Sequence, residues 1–202
     1  MSGVAVGQKA PPFRLPSAQG AEIGLEDCLA RGPVVLWFTK GMACGFCRHQ
    51  MSQLGRWYPR LRAAGADLLE VTPTPLDRGR FYAKSFTLPF PYLCDPGREV
   101  FRQYALDERS HSVGWYLRNL NAGRKTPQPP SDFGKVSIAL KEFPRLVTDD
   151  DMGFFVIDRA GVIRWAQSGA YGAMAAGGEV ATHPVPSIDE ILREVDRLGA
   201  GG

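Results

Sequence analysis

Two cysteines, Cys44 and Cys47, stand two residues apart in Trp37-Phe-Thr-Lys-Gly-Met-Ala-Cys-Gly-Phe-Cys-Arg-His49. Two thiols three apart on the first turn of a helix can close a disulfide without unwinding it. The thiolate is the nucleophile, and a helix N-terminus favours negative charge through its unpaired N–H groups and its dipole. One cysteine then attacks, and the other resolves the mixed disulfide or sulfenic acid that results. Lys40 and Arg48 bring positive charge near in sequence, but such residues are more often solvated, and neither is assigned a role.

Other readings of the pair are weaker. Chance spacing of two buried thiols conflicts with their place after a strand and a short loop. A structural zinc site needs four ligands, and no second Cys-x-x-Cys or His pair completes one. His49 follows Cys47 by two residues on an advancing helix and points elsewhere, while His111 and His183 stand alone. No metal and no bound cofactor are therefore expected, only a redox-active disulfide. Cys28 and Cys94 stand apart and are read as small buried core residues.

The elements around the pair alternate. Pro33-Val-Val-Leu-Trp-Phe38 is a continuous apolar run, the pattern of a strand buried on both faces. Cys44, Cys47, Met51, Leu54, Tyr58 and Leu61 recur at steps of three and four, which predicts a helix of about five turns. Gly65 stops it, and Asp67 to Val71 reads as the next strand. Thr74 and Pro75 predict an N-cap and a first helical position. Tyr92-Leu-Cys94, the turn Asp95-Pro-Gly97 and Arg98 to Tyr104 give a short strand, a turn and a short helix. Gly153 to Ile157 and Val162 to Gln167, joined by Asp158-Arg-Ala-Gly161, read as a hairpin. Ser187 and Glu190 form a capping box for a last helix striped with Ile188, Ile191, Leu192, Val195 and Leu198. Alternating βα units followed by a hairpin predict an α/β fold, three-layered around a mixed central sheet. Reactive groups in such sheets collect at the C-terminal strand edge, where Cys44 falls.

Two stretches fit less well. Residues from about 107 to 151 interrupt the pattern with one amphipathic piece (Val113, Tyr116, Leu117, Leu120) and the Pro-rich Thr126 to Asp132. They read as an insertion decorating the surface, with a cap or partner-binding element over the site as the sharper alternative. Gly169 to Gly178 is Gly/Ala-rich and reads as a flexible loop.

Length and composition bound the rest. The 202 residues predict one domain that buries roughly 70% of its unfolded surface. Hydrophobic residues at 44% and charged residues at 22% exclude general disorder. A net charge of +3 is too small to imply nucleic acid or a membrane surface as partner, and no apolar run reaches membrane-span length. The start, Met1-Ser-Gly-Val-Ala-Val-Gly-Gln-Lys9, lacks the basic and apolar parts of a secretory signal, so a cytoplasmic protein is expected.

Four stretches together carry a family resemblance. Val6-Gly-Gln-Lys-Ala-Pro-Pro-Phe13 is similar to a G-x-x-A-P-x-F segment that leads into a small hairpin. Val34-Val-Leu-Trp-Phe38 through Cys47-Arg48 resembles an active-site strand, loop and helix. Pro91-Tyr-Leu-Cys-Asp-Pro-Gly97 resembles a segment ending in Asp-Pro, and Gly153 to Arg164 resembles an F-V-I-D-x-x-G-x-I-R hairpin. In their order and spacing they resemble the thioredoxin-like superfamily, in its peroxiredoxin-like alkyl hydroperoxide reductase/thiol-specific antioxidant (AhpC/TSA) branch.

The resemblance implies a thioredoxin fold over residues 1–202, with an N-terminal hairpin extension and the insertion placed before the C-terminal hairpin. It implies an antioxidant that reduces hydroperoxides through Cys44 and Cys47 and is recycled by a dithiol reductant such as a thioredoxin. Protein disulfide exchange without peroxide chemistry, or a non-catalytic redox-sensitive binding module, are the alternatives. A homodimer is compatible with the family, with Trp57, Trp115 and Trp165 as candidate face residues or ordinary partial core. Typical members surround the reactive cysteine with a Pro, a Thr three residues earlier and an Arg. Here Thr39 falls about where the Pro would be, and Cys44 takes the Thr slot if Cys47 is peroxidatic. Met152 falls about where the Arg, or the cis-Pro of thioredoxins, is found. A thioredoxin-like reading makes Cys44 the nucleophile, and a peroxiredoxin-like one makes it Cys47. The freer access of the first helical position favours Cys44.

Overall fold

A computed structural model of the chain describes residues 4–106, 108–109, 132–134, 136, 139, 149–150, 152–169, 171–174, 180–182 and 186–199. A hairpin of β1 (Arg14–Pro16) and β2 (Glu22–Gly24) leads into α1 (Leu25–Leu29) and β3 (Val34–Phe38). Then come α2 (Gly45–Ala63), β4 (Asp67–Thr72), α3 (Leu76–Ser85), β5 (Tyr92–Cys94) and α4 (Glu99–Gln103). Two-residue strands β6 (Glu108–Arg109) and β7 (Asp149–Asp150) pair with each other. They are followed by β8 (Met152–Ile157), β9 (Ile163–Gly169), β10 (Tyr171–Met174), β11 (Val180–Thr182) and α5 (Ile188–Gly199).

The main sheet has five strands in the order β5-β4-β3-β8-β9. Pairs β3–β4 and β4–β5 are parallel, while β3–β8 and β8–β9 are antiparallel, which makes the expected mixed sheet. Every residue of β3, β4 and β8 is buried. Because strand side chains alternate, the sheet divides two cores. Val35, Trp37, Leu68, Phe154 and Val156 pack under α2 (Met51, Leu54, Leu61), Tyr82 of α3 and the stripe Ile191, Leu192 and Val195 of α5. Val34, Leu36, Phe38, Leu69, Val71, Phe155 and Ile157 face Leu25, Cys28 and Leu29 of α1 and Val100 and Phe101 of α4. These are the three layers read from the sequence.

Caps and stops follow local chemistry. The Ser187 hydroxyl accepts the Glu190 N–H at 3.2 Å, as a capping box requires. Gly65 ends α2 in the left-handed region, at φ +79. The buried Asp95 carboxylate accepts the N–H groups of Glu99, Val100 and Phe101 at 3.0, 2.9 and 3.3 Å, fixing the start of α4.

Three expectations need correction. Thr74 does not cap α3: Pro75 takes that position, and the Thr74 hydroxyl is bonded to Tyr92 Oη at 2.7 Å. The buried phenol needs a partner more than an exposed helix end needs a cap. The Gly/Ala-rich stretch is not simply a loop, because Tyr171–Met174 pairs antiparallel with Val180–Thr182. Its ladder is made by backbone groups that Gly and Ala supply without any apolar alternation to mark it. The insertion is more than surface decoration at Phe133, although Asp132 and Gly134 on either side are exposed. Phe133 is buried against Phe86, with ring centroids 5.9 Å apart, and Asp132 bonds Ser52 and Arg56 of α2. The Val113–Leu120 piece, Trp115 and residues 126–130 lie outside the described residues.

Phe133→Ala is expected to cost about 3 kcal/mol of unfolding free energy, the usual range for emptying a buried phenylalanine site. Urea denaturation measures it, and a change below about 0.5 kcal/mol would return the segment to the surface.

Candidate active site

The apolar β3 ends at Phe38 and α2 begins at Gly45, so the six residues Thr39 to Cys44 must turn within a short loop. Gly41 makes the turn at φ +77, and a Cβ there would lie 2.3 Å from Tyr92 Oη and 2.6 Å from Thr74 Oγ1. Only glycine satisfies both the backbone angle and the space. The Gly41 N–H donates to Thr39 Oγ1 at 2.8 Å, and the Met42 N–H donates to Tyr92 Oη at 3.1 Å. Arg48 reaches back from α2 to donate to the Met42 and Ala43 carbonyls at 2.7 and 3.4 Å. The loop is thus tied to β3, β5 and its own helix.

Cys44 is the N-cap of α2, with extended backbone angles, and its Sγ accepts the Cys47 N–H at 3.3 Å. An otherwise unsatisfied helix N–H therefore points at this sulfur, the arrangement that stabilises a thiolate. Cys44 is half-buried, whereas Cys47 is fully buried, with its Sγ 3.9 Å from Met152 Sδ. Burial pushes the Cys47 thiol well up, and its hydrogen bond to Cys44 and the negative charge of Cys44 add to this; Lys40 works the other way through a backbone hydrogen bond and its charge. The two sulfurs are chemically unequal: one is presented at the helix end, the other protonated beneath it.

The residues singled out by sequence fall into three groups. Cys44 and Cys47 come together on the first turn, and Met152 of β8 lies directly against Cys47. Lys40 acts on Cys47 electrostatically, and Arg48 holds loop carbonyls. Cys28 and Cys94 are buried, and burial raises both thiols, Cys94 to about 12, which leaves them inert. His111 and His183 lie outside the described residues. Among those described, no group of three or more His, Cys, Asp or Glu side chains is arranged to hold a metal, and no helix is long and apolar enough to cross a membrane. A cleft of about 810 Å³ lined by Arg31, Asp158, Arg159, Arg164 and Arg197 includes neither Cys44 nor Cys47, so the chemistry is not sited in that cavity.

One residue was missed. Glu70 of β4 is fully buried; its Oε1 accepts a hydrogen bond from Thr39 at 2.8 Å, and its Oε2 has no partner. Burial raises its carboxyl to about 8, with the Thr39 bond opposing and the charge of Cys44 contributing. The available signal was a lone acid inside the otherwise apolar Leu68-Leu69-Glu70-Val71.

The AhpC/TSA family matches residues 6–166, a span that holds β3, the loop, both cysteines, Glu70 and Met152. The chain belongs to the AhpC/TSA family. Among curated relatives, it is 26% identical over 103 residues to peroxiredoxin Q, chloroplastic, of Sedum lineare, covering 51% of this chain and 55% of that protein. It is 28% identical over 102 residues to the thiol-disulfide oxidoreductase ResA of Bacillus thuringiensis, covering 50% and 58%. The chain thus spans little more than half the length of these relatives. The crystal structure of peroxidoxin BcpB from Mycobacterium tuberculosis superposes with a TM-score of 0.62 at 17% identity, over 98% of this chain and 97% of that one. The AhpC/TSA fold is therefore the thioredoxin-type architecture expected from the sequence.

The raised carboxyl has a consequence for stability. Its ordinary value is 4.5, so between pH 4.5 and about 8 the native chain holds a proton that the unfolded chain has lost. The Glu70 contribution is therefore fully present below pH 4.5 and is lost as pH rises to 8, by at most about 1.4 kcal/mol per pH unit. Urea unfolding of the wild type and Glu70→Gln at pH 5 and pH 8 should show the wild type losing stability relative to the variant. A constant difference would mean that Glu70 is ionised throughout.

Proposed function

We propose that this chain is a thiol-dependent oxidoreductase that reduces hydroperoxides, with Cys44 attacking and Cys47 resolving. The observation that carries this reading is the inequality of the two thiols: Cys44 caps α2 at its accessible end, and Cys47 is buried one turn beneath it. The Cys44 thiolate attacks one oxygen of the hydroperoxide; an S–O bond forms, the O–O bond breaks, and the alkoxide leaves as alcohol after taking a proton. Cys47 then attacks the sulfenic sulfur of Cys44, and the S–S bond forms as hydroxide departs with the Cys47 proton as water. The two sulfurs supply two electrons, and a dithiol such as a thioredoxin returns them by exchange. The redox-active group is this disulfide, with no other cofactor.

The peroxiredoxin name of one relative supports this reading, and the oxidoreductase name of another supports the second one, protein disulfide exchange. A specific contact favours the second: Met152, a neutral thioether, faces Cys47 where the family resemblance would put an arginine. A protein disulfide needs no cation to stabilise a breaking O–O bond. A cytoplasmic setting and a homodimer complete the proposal.

Cys44→Ser is expected to lower hydroperoxide consumption at least 100-fold with the fold intact by circular dichroism. Cys47→Ser is expected to allow one round of oxidation and then stop, leaving Cys44 as a sulfenic acid that the carbon nucleophile dimedone traps as a thioether. Peroxide consumption and intact mass read both. A Cys44→Ser variant at the wild-type rate would reject the attacking role, and wild-type protein that closes the disulfide only with oxidised protein substrates would select the exchange reading.

A further inference from the structure

A carboxyl group stands in the core behind Cys44. The β3–β4 and β4–β5 registers set Glu70 beside Trp37 on one side and Tyr92 on the other, all on the sheet face that α2 covers. Its single hydrogen bond comes from Thr39, whose oxygen also accepts the Gly41 N–H of the loop leading to Cys44. Tyr92, its other neighbour, holds Met42 of the same loop. Glu70 Oε2 and Trp37 Nε1 are buried here without a partner, as is Arg48 Nε on the first turn of α2. Asp67, on the same strand, shows the contrast: it bonds Tyr58 at 2.7 Å and Arg62 at 2.8 Å, as a structural carboxylate does. Neither an ion partner nor a full set of donors compensates Glu70, and an apolar residue or a glutamine would fill the position at lower cost. Perturbed, under-satisfied acids of this kind concentrate at functional sites.

We propose that Glu70 is the proton-holding residue of the Cys44–Cys47 couple: it carries its proton while Cys44 is a thiolate and releases it when the disulfide forms. The linkage rests on the dithiol reading above. It is a positioning and electrostatic role, since Glu70 touches neither sulfur.

The groups that share its surroundings support the assignment. On the loop and the first turn of α2 they are Cys44, Cys47 and Arg48, and Arg48 is engaged with loop carbonyls. Lys40, in the same loop, acts on Cys47. On β5 they are Tyr92 and Cys94, both neutral at physiological pH because burial raises them. From α3, Asp77 and Arg80 act on Cys94. The described β8 residues on this face, Phe154 and Val156, carry no charge. Cys44 is thus the group whose charge changes with redox state and reaches Glu70, and a thiolate there raises the carboxyl. Removing that thiolate by oxidation lowers it, and the proton leaves.

The balance closes. Reducing a hydroperoxide to alcohol and water takes two electrons and two protons. The sulfurs of Cys44 and Cys47 give the electrons as the S–S bond forms and the O–O bond breaks. Cys47 gives one proton, and Glu70 gives part of the second, the rest coming from solvent. Reduction by an external dithiol reverses both transfers.

Infrared difference spectroscopy of the whole protein tests this, with hydrogen peroxide or oxidised glutathione as oxidant and intact mass taken at each point. At pH 8 oxidation should replace a carboxylic-acid carbonyl band with carboxylate bands, and the pH at which that acid band disappears should fall on the order of one unit. At pH 5 the change should vanish, because Glu70 is protonated in both states. Glu70→Gln should lose the band. If that variant fails to fold, Cys44→Ser with Glu70 intact serves, and its acid band should disappear at lower pH than in the reduced wild type. A carboxyl band indifferent to redox state, while mass shows two hydrogens lost from Cys44 and Cys47, would overturn the linkage and leave the dithiol reading standing. No disulfide with either oxidant would overturn the dithiol reading itself, and the linkage with it.

Discussion

The six residues between the end of β3 and the start of α2 are held by two polar side chains buried in the core and by a half-buried arginine, and the site depends on that restraint. Thr39 takes the Gly41 N–H, Tyr92 takes the Met42 N–H, and Arg48 takes the Met42 and Ala43 carbonyls. Each group satisfies a backbone atom that burial would otherwise leave costly. These bonds tie the loop down and place Cys44 at the cap of α2. Gly41 is the steric counterpart, since the phenol and hydroxyl that anchor the loop leave no room for a side chain.

From that restraint the division between the two cysteines follows. A residue at the N-cap keeps its side chain near solvent and receives a helix N–H, while a residue three positions on faces the sheet. Cys47 accordingly meets Met152 on β8 and loses contact with water, and burial keeps it protonated. The same geometry sets Glu70 under the loop through Thr39. A half-buried thiol at the helix end, a buried thiol one turn on and a buried acid under the loop form a graded series towards the core. Membership of the AhpC/TSA family supplies the frame.

Much of this was legible because the signals were local. Val34–Phe38 is apolar at every position, Ser187 and Glu190 cap a helix within one turn, and Cys44 and Cys47 are three apart. What was not legible depends on contacts distant in sequence. Thr39 and Glu70 are 31 positions apart, and Cys47 and Met152 are 105 apart. Thr74 carried a valid capping signal that lost to a buried tyrosine from another strand. The β10–β11 hairpin has backbone pairing without the hydrophobic alternation that betrays a strand, and Phe133 entered the core from a stretch whose polar neighbours suggested surface.

The proposed chemistry stands or falls on Cys44, not Cys47, being the reactive sulfur. Timed alkylation of the fully reduced protein with iodoacetamide across pH 5 to 9, mapped to each cysteine by peptide mass, tests it most directly. Cys44 should be modified at least tenfold faster than Cys47 at every pH, with Cys28 and Cys94 protected throughout. Modification of Cys47 first, or of both at equal rates, would contradict it.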